Sequence, residues 1–346
     1  MKNTKDRVTI YEVARASGVS LATVSRVINK QGNVTEATRK KVEETIVRLG
    51  YKPSALAQAL ATNRSTNIGV VIPSANYVYI SNMLNGITDA AKEKGYVLTL
   101  FVTSHSRDDA KQMIEKVITS HVDGAIIFDD ELDVEDVNHI LSYSVPVIAV
   151  NNDIVGEKVG SISFGYEHKV KNIIREYFKN GDKKMYFLHA HNCGRLLERI
   201  EKAFISVHLE ENRSYGLLSC DDSYNRTYTD FLEFFKTTKK GYFLAYRDSL
   251  AAAITNAAVD SGLRVPEDVE VLSIIGTKYA AITRPQLSSM HIDMYQVGKQ
   301  AMMMLNGLLD GTLEEKHYKF ESSFVPKMST SAKVKKNMGK KTLLSA

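Results

Sequence analysis

Two patterns of hydrophobic positions divide the 346-residue chain. Up to residue 66, apolar residues recur at intervals of three and four, the spacing that places them on one face of a helix. From Asn67 onward, continuous apolar runs alternate with amphipathic stretches, as in buried parallel strands that are connected by helices. The pattern therefore predicts a small all-α head followed by an α/β body.

The head begins with two short predicted helices. Ile10, Val13 and Ala14 share one face of the first helix. Gly18 suits the left-handed conformation that ends a helix. Ser20 is a favourable N-cap for the second helix, because its hydroxyl can accept a hydrogen bond from an amide of the first turn. A helix–turn–helix unit is therefore predicted.

The outer face of the second predicted helix is suited to reading DNA bases. Val24 and Val27 form its buried side, which leaves Leu21, Ala22 and Arg26 outside. Apolar side chains can contact a thymine methyl group, and an arginine fork can reach O6 and N7 of guanine. The alternative is an ordinary helical hairpin with a solvated polar surface, and the spacing alone does not decide between the two.

Hydroxyl groups near this helix are suited to phosphate contacts. Thr9, Tyr11, Thr23 and Ser25 offer such groups. Contacts of this kind position a protein on DNA without reading its sequence.

The charge distribution favours a nucleic-acid partner for the head. Residues 1–66 carry 12 Lys and Arg against 5 Asp and Glu, and residues 331–346 carry five lysines and no acidic residue. Since the whole chain has a net charge of only +5, the body between them is acidic. A basic head on an acidic body is typical of a DNA-binding module joined to another domain.

A third helix and a short connecting segment complete the head. Thr35 is the expected N-cap of the third helix, and Gly50 ends it. Pro53 and Ser54 mark a helix start, and residues 55–61 are strong helix formers but span only about two turns, so this helix is expected to form only when it packs against a partner. On composition alone, a flexible linker is the alternative.

Several sequence runs of the head resemble the LacI/GalR family of bacterial transcription regulators. The runs that carry the resemblance through the family's head and hinge are TIYEVA at 9–14, GVS at 18–20, TVSRVIN at 23–29, LGYKP at 49–53 and ALAQAL at 55–60. The resemblance implies a homodimer that binds a pseudo-palindromic operator in double-stranded DNA.

The same resemblance assigns roles to individual residues. It implies that Leu21, Ala22 and Arg26 read bases. It also implies that Leu60 wedges into the central base step of the operator, where two hinge helices form as a pair. The predicted DNA contacts are Thr9, Tyr11, Ser20, Leu21, Ala22, Thr23, Ser25, Arg26, Asn29, Ser54, Ala57 and Leu60.

The body repeats one α/β pattern twice. The first half has predicted strands at 68–73, 97–102, 124–128 and 147–150, with helices around 80–94, 107–120 and 134–143. Further strands are predicted at 184–188, 242–246 and 269–275. Two such parallel-sheet subdomains resemble the periplasmic-binding-protein architecture, with a ligand cleft at the carboxyl ends of the strands.

These patterns predict the domain boundaries. A helix-turn-helix DNA-binding domain is expected at 1–52, a hinge helix and linker at 53–66, an effector-binding and dimerisation core at 67–330, and a basic, disordered tail at 331–346. Within the core, one subdomain is expected to span about 67–165 with 293–325, and the other 166–292.

The effector-binding candidates follow the predicted strand ends or the family resemblance. Asn151 follows the fourth predicted strand, and His191 and Asp248 follow strands of the second half. The resemblance implies that Asp248 binds effector hydroxyls or amines. It places Tyr79 and Ile80 at the family's first effector-facing aromatic position.

Two departures from the family pattern concern the cleft. The residues SIIG at 273–276 lack an acid that usually contacts a sugar, and IEKAF at 200–204 is a degraded helix motif. By contrast, RPQLSS at 284–289 and MYQVG at 294–298 resemble the catabolite-control branch of the family. That branch uses a serine-phosphorylated phosphocarrier protein as corepressor.

The sequence gives little support for catalysis or for a metal. It contains no Walker loop, nucleophile elbow or dinucleotide fingerprint, so neither an enzyme nor a cofactor is expected. His189, His191 and Cys193 are competent metal ligands, but a fourth ligand is missing, which favours an ordinary loop. No apolar run approaches the roughly 18 residues that span a membrane, and the N-terminus lacks a secretory signal, which favours the cytoplasm.

The sequence thus predicts a cytoplasmic, homodimeric, sequence-specific DNA-binding regulator, a repressor of carbohydrate-related genes. Its effector would be a sugar or sugar derivative. One alternative is a catabolite-control-type regulator that uses a phosphorylated phosphocarrier protein as corepressor. An alternative from another class is a ligand-binding protein whose head docks a protein rather than DNA.

Overall fold

The computed structural model describes residues 8–29, 32, 34–52, 65–74, 77–103, 107–128, 134–190 and 194–331. The chain divides into two compact units, residues 1–66 and residues 67–346. Of the predicted hinge and tail, residues 53–64 and 332–346 lie outside the described ranges.

The described residues of the first unit form three helices: α1 (Ile10–Ser17), α2 (Leu21–Ile28) and α3 (Glu36–Leu49). Their apolar faces meet in a small core of Val13, Val24, Val27 and Val42, all of which are buried. Apolar residues at three- and four-residue intervals produce this core, because that spacing brings one face of each helix inward. The predicted helix–turn–helix unit and third helix are confirmed.

Local caps determine where these helices begin and end. Thr9 and Glu12 form a reciprocal capping box at the start of α1. Gly18 and Gly50 end α1 and α3 in the left-handed conformation, with φ of 62° and 65°. A side chain at either glycine would be strained, so glycine allows both sharp turns between helices.

Within its described ranges, the second unit forms two six-stranded sheets. The strands, in chain order, are β1 (Asn67–Ile72), β2 (Val97–Val102), β3 (Gly124–Ile127), β4 (Val147–Val150), β5 (Val159–Ser163), β6 (Met185–Ala190), β7 (Tyr215–Cys220), β8 (Gly241–Arg247), β9 (Val269–Ile275), β10 (Ser288–His291), β11 (His317–Lys319) and β12 (Ser323–Val325). The sheet orders are β11-β5-β4-β3-β1-β2 and β12-β10-β9-β8-β6-β7. Every strand pairing is parallel except that of β10 with β12.

Helices connect the strands of each sheet. In chain order they are α4 (Val78–Glu93), α5 (Arg107–Thr119), α6 (Val134–Ser142), α7 (Tyr166–Phe178), α8 (Gly194–Glu210), α9 (Tyr224–Thr237), α10 (Asp248–Asp260), α11 (Lys278–Ile282) and α12 (Met294–Asp310). The three helices and seven strands predicted in the body are confirmed within two residues of their bounds. The central strands are apolar along their whole length, because helices cover both faces of a parallel sheet.

The chain passes between the two sheets three times: from β5 to α7, from β10 to α12, and from β11 to β12. This topology corrects one predicted boundary. We expected residues 293–325 to belong to the first subdomain, but β12 pairs with β10 in the second sheet. The hydroxyl of Ser329 also donates to the carbonyl of Val271 in β9, so the segment after β12 stays with the second half.

A buried histidine makes the stability of the second half depend on pH. His208 of α8 is fully buried beside Phe204, with ring centroids 4.1 Å apart, and its Nδ1 lies 2.8 Å from the carbonyl of Phe204. Burial lowers the pKa of this imidazole below its ordinary value of 6.5, although the hydrogen bond to Phe204 opposes the shift. The folded state therefore keeps His208 neutral at a pH where the unfolded chain is protonated.

We expect the free energy of unfolding to fall as the pH drops below 6.5, because the unfolded chain then binds a proton that the folded state does not. The contribution of this one group to the slope has an upper limit of about 1.4 kcal/mol per pH unit. Chemical denaturation of His208→Phe between pH 5 and pH 8 should show a flatter profile than the parent. His168→Gln, at an exposed position of α7, is the matched control. If His208→Phe retained the parental slope, the acid sensitivity would have another origin.

Candidate nucleic-acid interface and ligand cleft

The outer face of α2 carries three side chains that the sequence singled out for base reading. Leu21 and Ala22 are exposed at the start of the helix, and Arg26 is exposed one turn later. Because Val24 and Val27 are buried on the opposite side, the helix cannot rotate without exposing its core. The structure thus brings Leu21, Ala22 and Arg26 together on one solvent-facing surface.

Two of the predicted DNA contacts, Ser20 and Thr23, hydrogen-bond to each other at the N-cap of α2. The hydroxyl of Ser20 accepts a hydrogen bond from the amide of Thr23 at 3.2 Å, and the two hydroxyls lie 2.9 Å apart. The α2 N-terminus is therefore held in a defined conformation beside Leu21. A hydroxyl oxygen that already caps the helix retains donor capacity for a phosphate oxygen.

The remaining described candidates of the head also lie near its surface. Tyr11 is exposed, whereas Ser25 and Asn29 are half-buried and share a hydrogen bond of 3.3 Å. The backbone amide and hydroxyl of Thr9 both donate to Glu12, and these bonds hold the pKa of Glu12 below its usual range. The other predicted DNA contacts, which are Ser54, Ala57 and Leu60, lie outside the described residues.

A cavity of about 420 Å³ lies between the two halves of the second unit, at the carboxyl ends of their strands. The first half contributes Ser74, Tyr77, Val78 and Tyr79, and the second half contributes Asp222, Arg247, Asp248, Ser249, Ile275, Thr277 and Tyr279. Carboxyl ends of parallel strands are the usual place for a ligand in this architecture. The volume and mixed lining are those of a small-molecule site.

Arg247, the last residue of β8, occupies much of the polar side of this cavity. Its guanidinium lies over the ring of Tyr77, 4.4 Å from the centroid, and its Nη2 pairs with the carboxylate of Asp222. The hydroxyl of Tyr77 donates to Asp222 Oδ2 at 3.5 Å. The ring of Tyr77 is stacked in turn on that of Tyr79. Arg247 thus contacts groups from both halves.

Asp248 begins α10 directly after Arg247 and is only 3% exposed. One carboxylate oxygen, Oδ2, accepts hydrogen bonds from the amide and hydroxyl of Thr277, at 2.6 and 2.7 Å, and from the amide of Ala280. The other oxygen, Oδ1, is buried and accepts no hydrogen bond from the described residues. A buried oxygen that accepts no hydrogen bond is costly, so a hydrogen bond from a water or ligand donor would stabilise it.

The structure brings only part of the predicted effector set to the cavity. Tyr79 and Asp248 line it. Ile80 is fully buried in the hydrophobic core, because it lies a third of a turn from Tyr79 on α4, and it is not a lining residue. Asn151 is buried, has a φ of 66° and is not a lining residue. Its Oδ1 accepts a hydrogen bond of 3.3 Å from Nη2 of Arg199 in the second half. His191 lies outside the described residues.

Several lining residues were missed by the sequence reasoning. Asp222 follows β7, an edge strand whose run YGLLSC includes glycine and serine and lacks the continuous apolar character of a buried strand. The two consecutive acids that follow this run were the available signal. Tyr279 belongs to the short helix α11 and Thr277 is its N-cap. The position of this helix depends on Asp248 rather than on a local pattern.

The described residues contain neither a cluster of metal ligands nor a membrane-spanning helix. Among the described residues, no group of three or more His, Cys, Asp or Glu side chains could hold a metal ion. His189 Nδ1 lies 2.5 Å from Glu201 Oε2, so an acid from α8 contacts the one described member of the His189, His191 and Cys193 set. Across the described ranges, no helix combines the length and apolar character needed to cross a membrane.

Comparison with known proteins places the chain in a family. Residues 9–54 match the model for bacterial regulatory proteins of the lacI family, and residues 229–330 match a periplasmic binding protein-like domain. Catabolite control protein A of Staphylococcus xylosus is 32% identical over 305 residues, which cover 86% of this chain and 91% of that protein. The HTH-type transcriptional regulator pepR1 of Lactobacillus delbrueckii subsp. lactis is 29% identical, over 94% of this chain and 98% of that protein.

The solved structures agree with this fold. The lac repressor dimer bound to operator and the anti-inducer ONPF superimposes with a TM-score of 0.80 at 24% identity, covering 94% of this chain and 99% of that chain. A three-helix head, two sheets with mostly parallel strands and a cavity between them are common features of this fold. From the match to the family model and the extent of the identity to catabolite control protein A, the chain belongs to the lacI family of bacterial regulatory proteins.

Proposed function

We propose that the chain is a homodimeric, sequence-specific DNA-binding transcriptional regulator that represses carbohydrate-related genes. An effector bound between the two halves of the core would control its affinity for the operator. It would act in the cytoplasm and by binding alone, without catalysis. The observation that carries the proposal is the exposed face of Leu21, Ala22 and Arg26 on a helix whose opposite side is locked into a core.

A homodimer is supported by apolar surface on the core. Val97, Leu100 and Val102 are exposed on β2, which forms the edge of the first sheet. Exposed apolar side chains on an edge strand favour cover by a partner chain. Two heads held in this way would meet two half-sites of a pseudo-palindromic operator.

Effector control follows from the position of the cavity. Because the cavity is lined from both halves, a ligand bound there stabilises one angle between them. That angle would set the spacing of the two hinge segments and so decide whether both heads fit the operator. A sugar or sugar derivative is supported by solved relatives, one of which is a complex of the regulator CelR with cellobiose.

The DNA-binding proposal can be tested by selecting binding sites for the purified full chain from a random duplex library. We expect a pseudo-palindromic consensus. The affinity should fall steeply with salt, because phosphate contacts release counterions. If the selection enriched no DNA sequence, or if the affinity did not change with salt concentration, the alternative in which the head docks a protein would be favoured.

Arg26→Ala is expected to weaken binding to the selected operator by roughly 1–3 kcal/mol and to relax the preference at one base pair. The reason is that an arginine fork bonds two acceptors on one guanine. Fluorescence anisotropy on the operator and on single-base variants would measure both effects. Arg15→Ala, at an exposed position of α1, is the matched control. Equal losses on all DNA sequences would instead make Arg26 a phosphate contact.

Leu60→Ala is expected to weaken operator binding while leaving the core folded. Inserting an apolar side chain costs free energy because it unstacks a base step. The bent duplex that results makes more contact with the protein, and this added contact offsets the cost. Operator affinity and thermal unfolding of the same preparation would separate the two effects. An operator affinity equal to that of the parent would reject the wedge.

A protein corepressor is the second candidate for control of the core. Identity to catabolite control protein A is the observation that favours it. Calorimetry with a panel of sugars and with a serine-phosphorylated phosphocarrier protein would separate the candidates. Heat of binding with a sugar supports small-molecule control, and heat with only the phosphorylated protein supports the corepressor.

A further inference from the structure

The guanidinium of Arg247 has the surroundings of a cation that is bound in a ligand site. Its side chain is only 13% exposed, although it lies in a cavity that opens between two subdomains. One face of the guanidinium covers the ring of Tyr77, and Asp222 neutralises its charge. An aromatic face combined with a carboxylate is a common way to hold guanidinium and ammonium groups.

The three groups come from different parts of the core. Tyr77 lies immediately before α4 in the first half, whereas Asp222 and Arg247 follow β7 and end β8 in the second half. The contacts of Tyr77 with Arg247 and with Asp222 therefore cross the cleft. Opening the two halves would break both contacts and return the guanidinium to water.

We propose that Arg247 is a built-in substitute for a ligand cation, which holds the cleft closed when no effector is present. The inference rests on the proposed function in that it takes this cleft as the regulatory site. The cleft would accordingly be closed by default. An effector would act by displacing Arg247 from the ring of Tyr77.

We call the contacts of Arg247 with Tyr77 and Asp222 the clamp. The charges around the clamp indicate which chemical class of ligand could replace Arg247. With Arg247 in place, one cation faces the two lining carboxylates of Asp222 and Asp248. Without it, both acids and the Tyr77 ring remain, and they favour a positively charged ligand, such as a sugar derivative that carries an amino group, over a neutral sugar or an anion.

Chemical rescue of Arg247→Ala tests the proposal. This substitution removes the guanidinium and two methylene groups, so ethylguanidinium matches the missing atoms. Hydrogen exchange of the full chain, followed by mass spectrometry, would report on the segments at 77–84 and 221–227. We expect exchange there to become about tenfold faster in the variant, because the cleft loses the contact of Arg247 with Tyr77 that joins its two halves. Millimolar ethylguanidinium should restore the parental rate.

Two further variants keep the test decisive. Arg264→Ala removes an exposed arginine that pairs with Asp268 within the second half, so it should change neither segment and should not respond to ethylguanidinium. Tyr77→Leu removes the ring from the first half and should accelerate exchange even if Arg247→Ala folds poorly. Ethylguanidinium should not restore this second variant, because the ring that would hold it is gone.

The outcomes separate this inference from the proposed function. The clamp would be overturned if both Arg247→Ala and Tyr77→Leu kept the parental rate of hydrogen exchange. It would also be overturned if exchange became faster in Arg247→Ala and ethylguanidinium did not reverse the change. These measurements contain no DNA, so a failure to select an operator would overturn the regulator and leave the clamp standing. Rescue by methylammonium as effectively as by ethylguanidinium would support the clamp as a general cation site.

Discussion

Glu270→Gln is expected to lower the free energy of unfolding of the second half by roughly 3–5 kcal/mol. Glu270 is buried at the start of β9, where its Oε1 accepts from Lys183 Nζ at 2.9 Å and its Oε2 accepts from the amide of Ser331 at 2.7 Å. A glutamine leaves the charge of Lys183 buried without its counter-ion. It also places an NH₂ group against one of the two donors.

Urea unfolding followed by circular dichroism would measure this loss. Lys179→Met is the matched control, because it breaks an ion pair with Glu176 at an exposed lysine, where such pairs contribute about 0–1 kcal/mol. The double variant Lys183→Met/Glu270→Leu should recover part of the stability, since it removes both buried charges together. A loss for Glu270→Gln no larger than that of Lys179→Met would contradict the prediction.

The effect of Glu270 extends toward the cleft. Glu270 is the second residue of β9, and the last residue of this strand, Ile275, lines the cavity. Thr277 follows two residues later and donates its amide to Asp248. The amide of Ser331 ties the last described segment of the chain to the same carboxylate. Loss of Glu270 should therefore destabilise the sheet that carries Arg247 and Asp248.

Gly298→Ala is expected to prevent normal packing of the first half, at a cost at or above the upper end of the roughly 1–3 kcal/mol typical of overpacking. Gly298 of α12 faces the backbone of α4, where an added Cβ would overlap the carbonyl of Met83 and lie 2.9 Å from the amide of Ile87. Gly86 of α4 faces Tyr295 in the same way. Because the neighbours are backbone atoms, no rotamer change relieves the overlap.

Thermal unfolding and soluble yield would measure this effect, and Gly86→Ala should reproduce it. Gly156→Ala is the matched control, since its added Cβ would meet only Val159 at an ordinary 3.6 Å. The functional consequence would concern Tyr77, which immediately precedes α4. Displacing α4 would move this ring away from Arg247. Parental stability in both Gly298→Ala and Gly86→Ala would show that the two helices separate at little cost.

The head illustrates what local sequence can predict. Its helices, caps and buried face follow from residues within four positions of one another, such as Thr9 with Glu12. Interactions of that range form the same way in most contexts. The long apolar strands of the body were predicted for a similar reason, because each must be buried on both faces wherever it pairs.

The missed strands β5, β7 and β10 to β12 show the limit of this reasoning. They are short or contain glycine and serine, and their partners in the sheets supply the hydrogen bonds that make them strands. The placement of Asp222 in the cavity depends on β7 and was missed with it. Likewise, Tyr79 lines the cavity whereas the adjacent Ile80 enters the core, a difference that depends on the packing of α4.

The sequence by itself determined the family, the three-helix head and the two-sheet core of this protein. Only the tertiary structure decided that Arg247 contacts both Tyr77 and Asp222, and that one carboxylate oxygen of Asp248 is buried without a donor from the described residues. Periodicity and capping are local properties that a sequence displays directly. A contact across a cleft depends instead on how two separately folded sheets are placed against each other, and three chain crossings determine that placement.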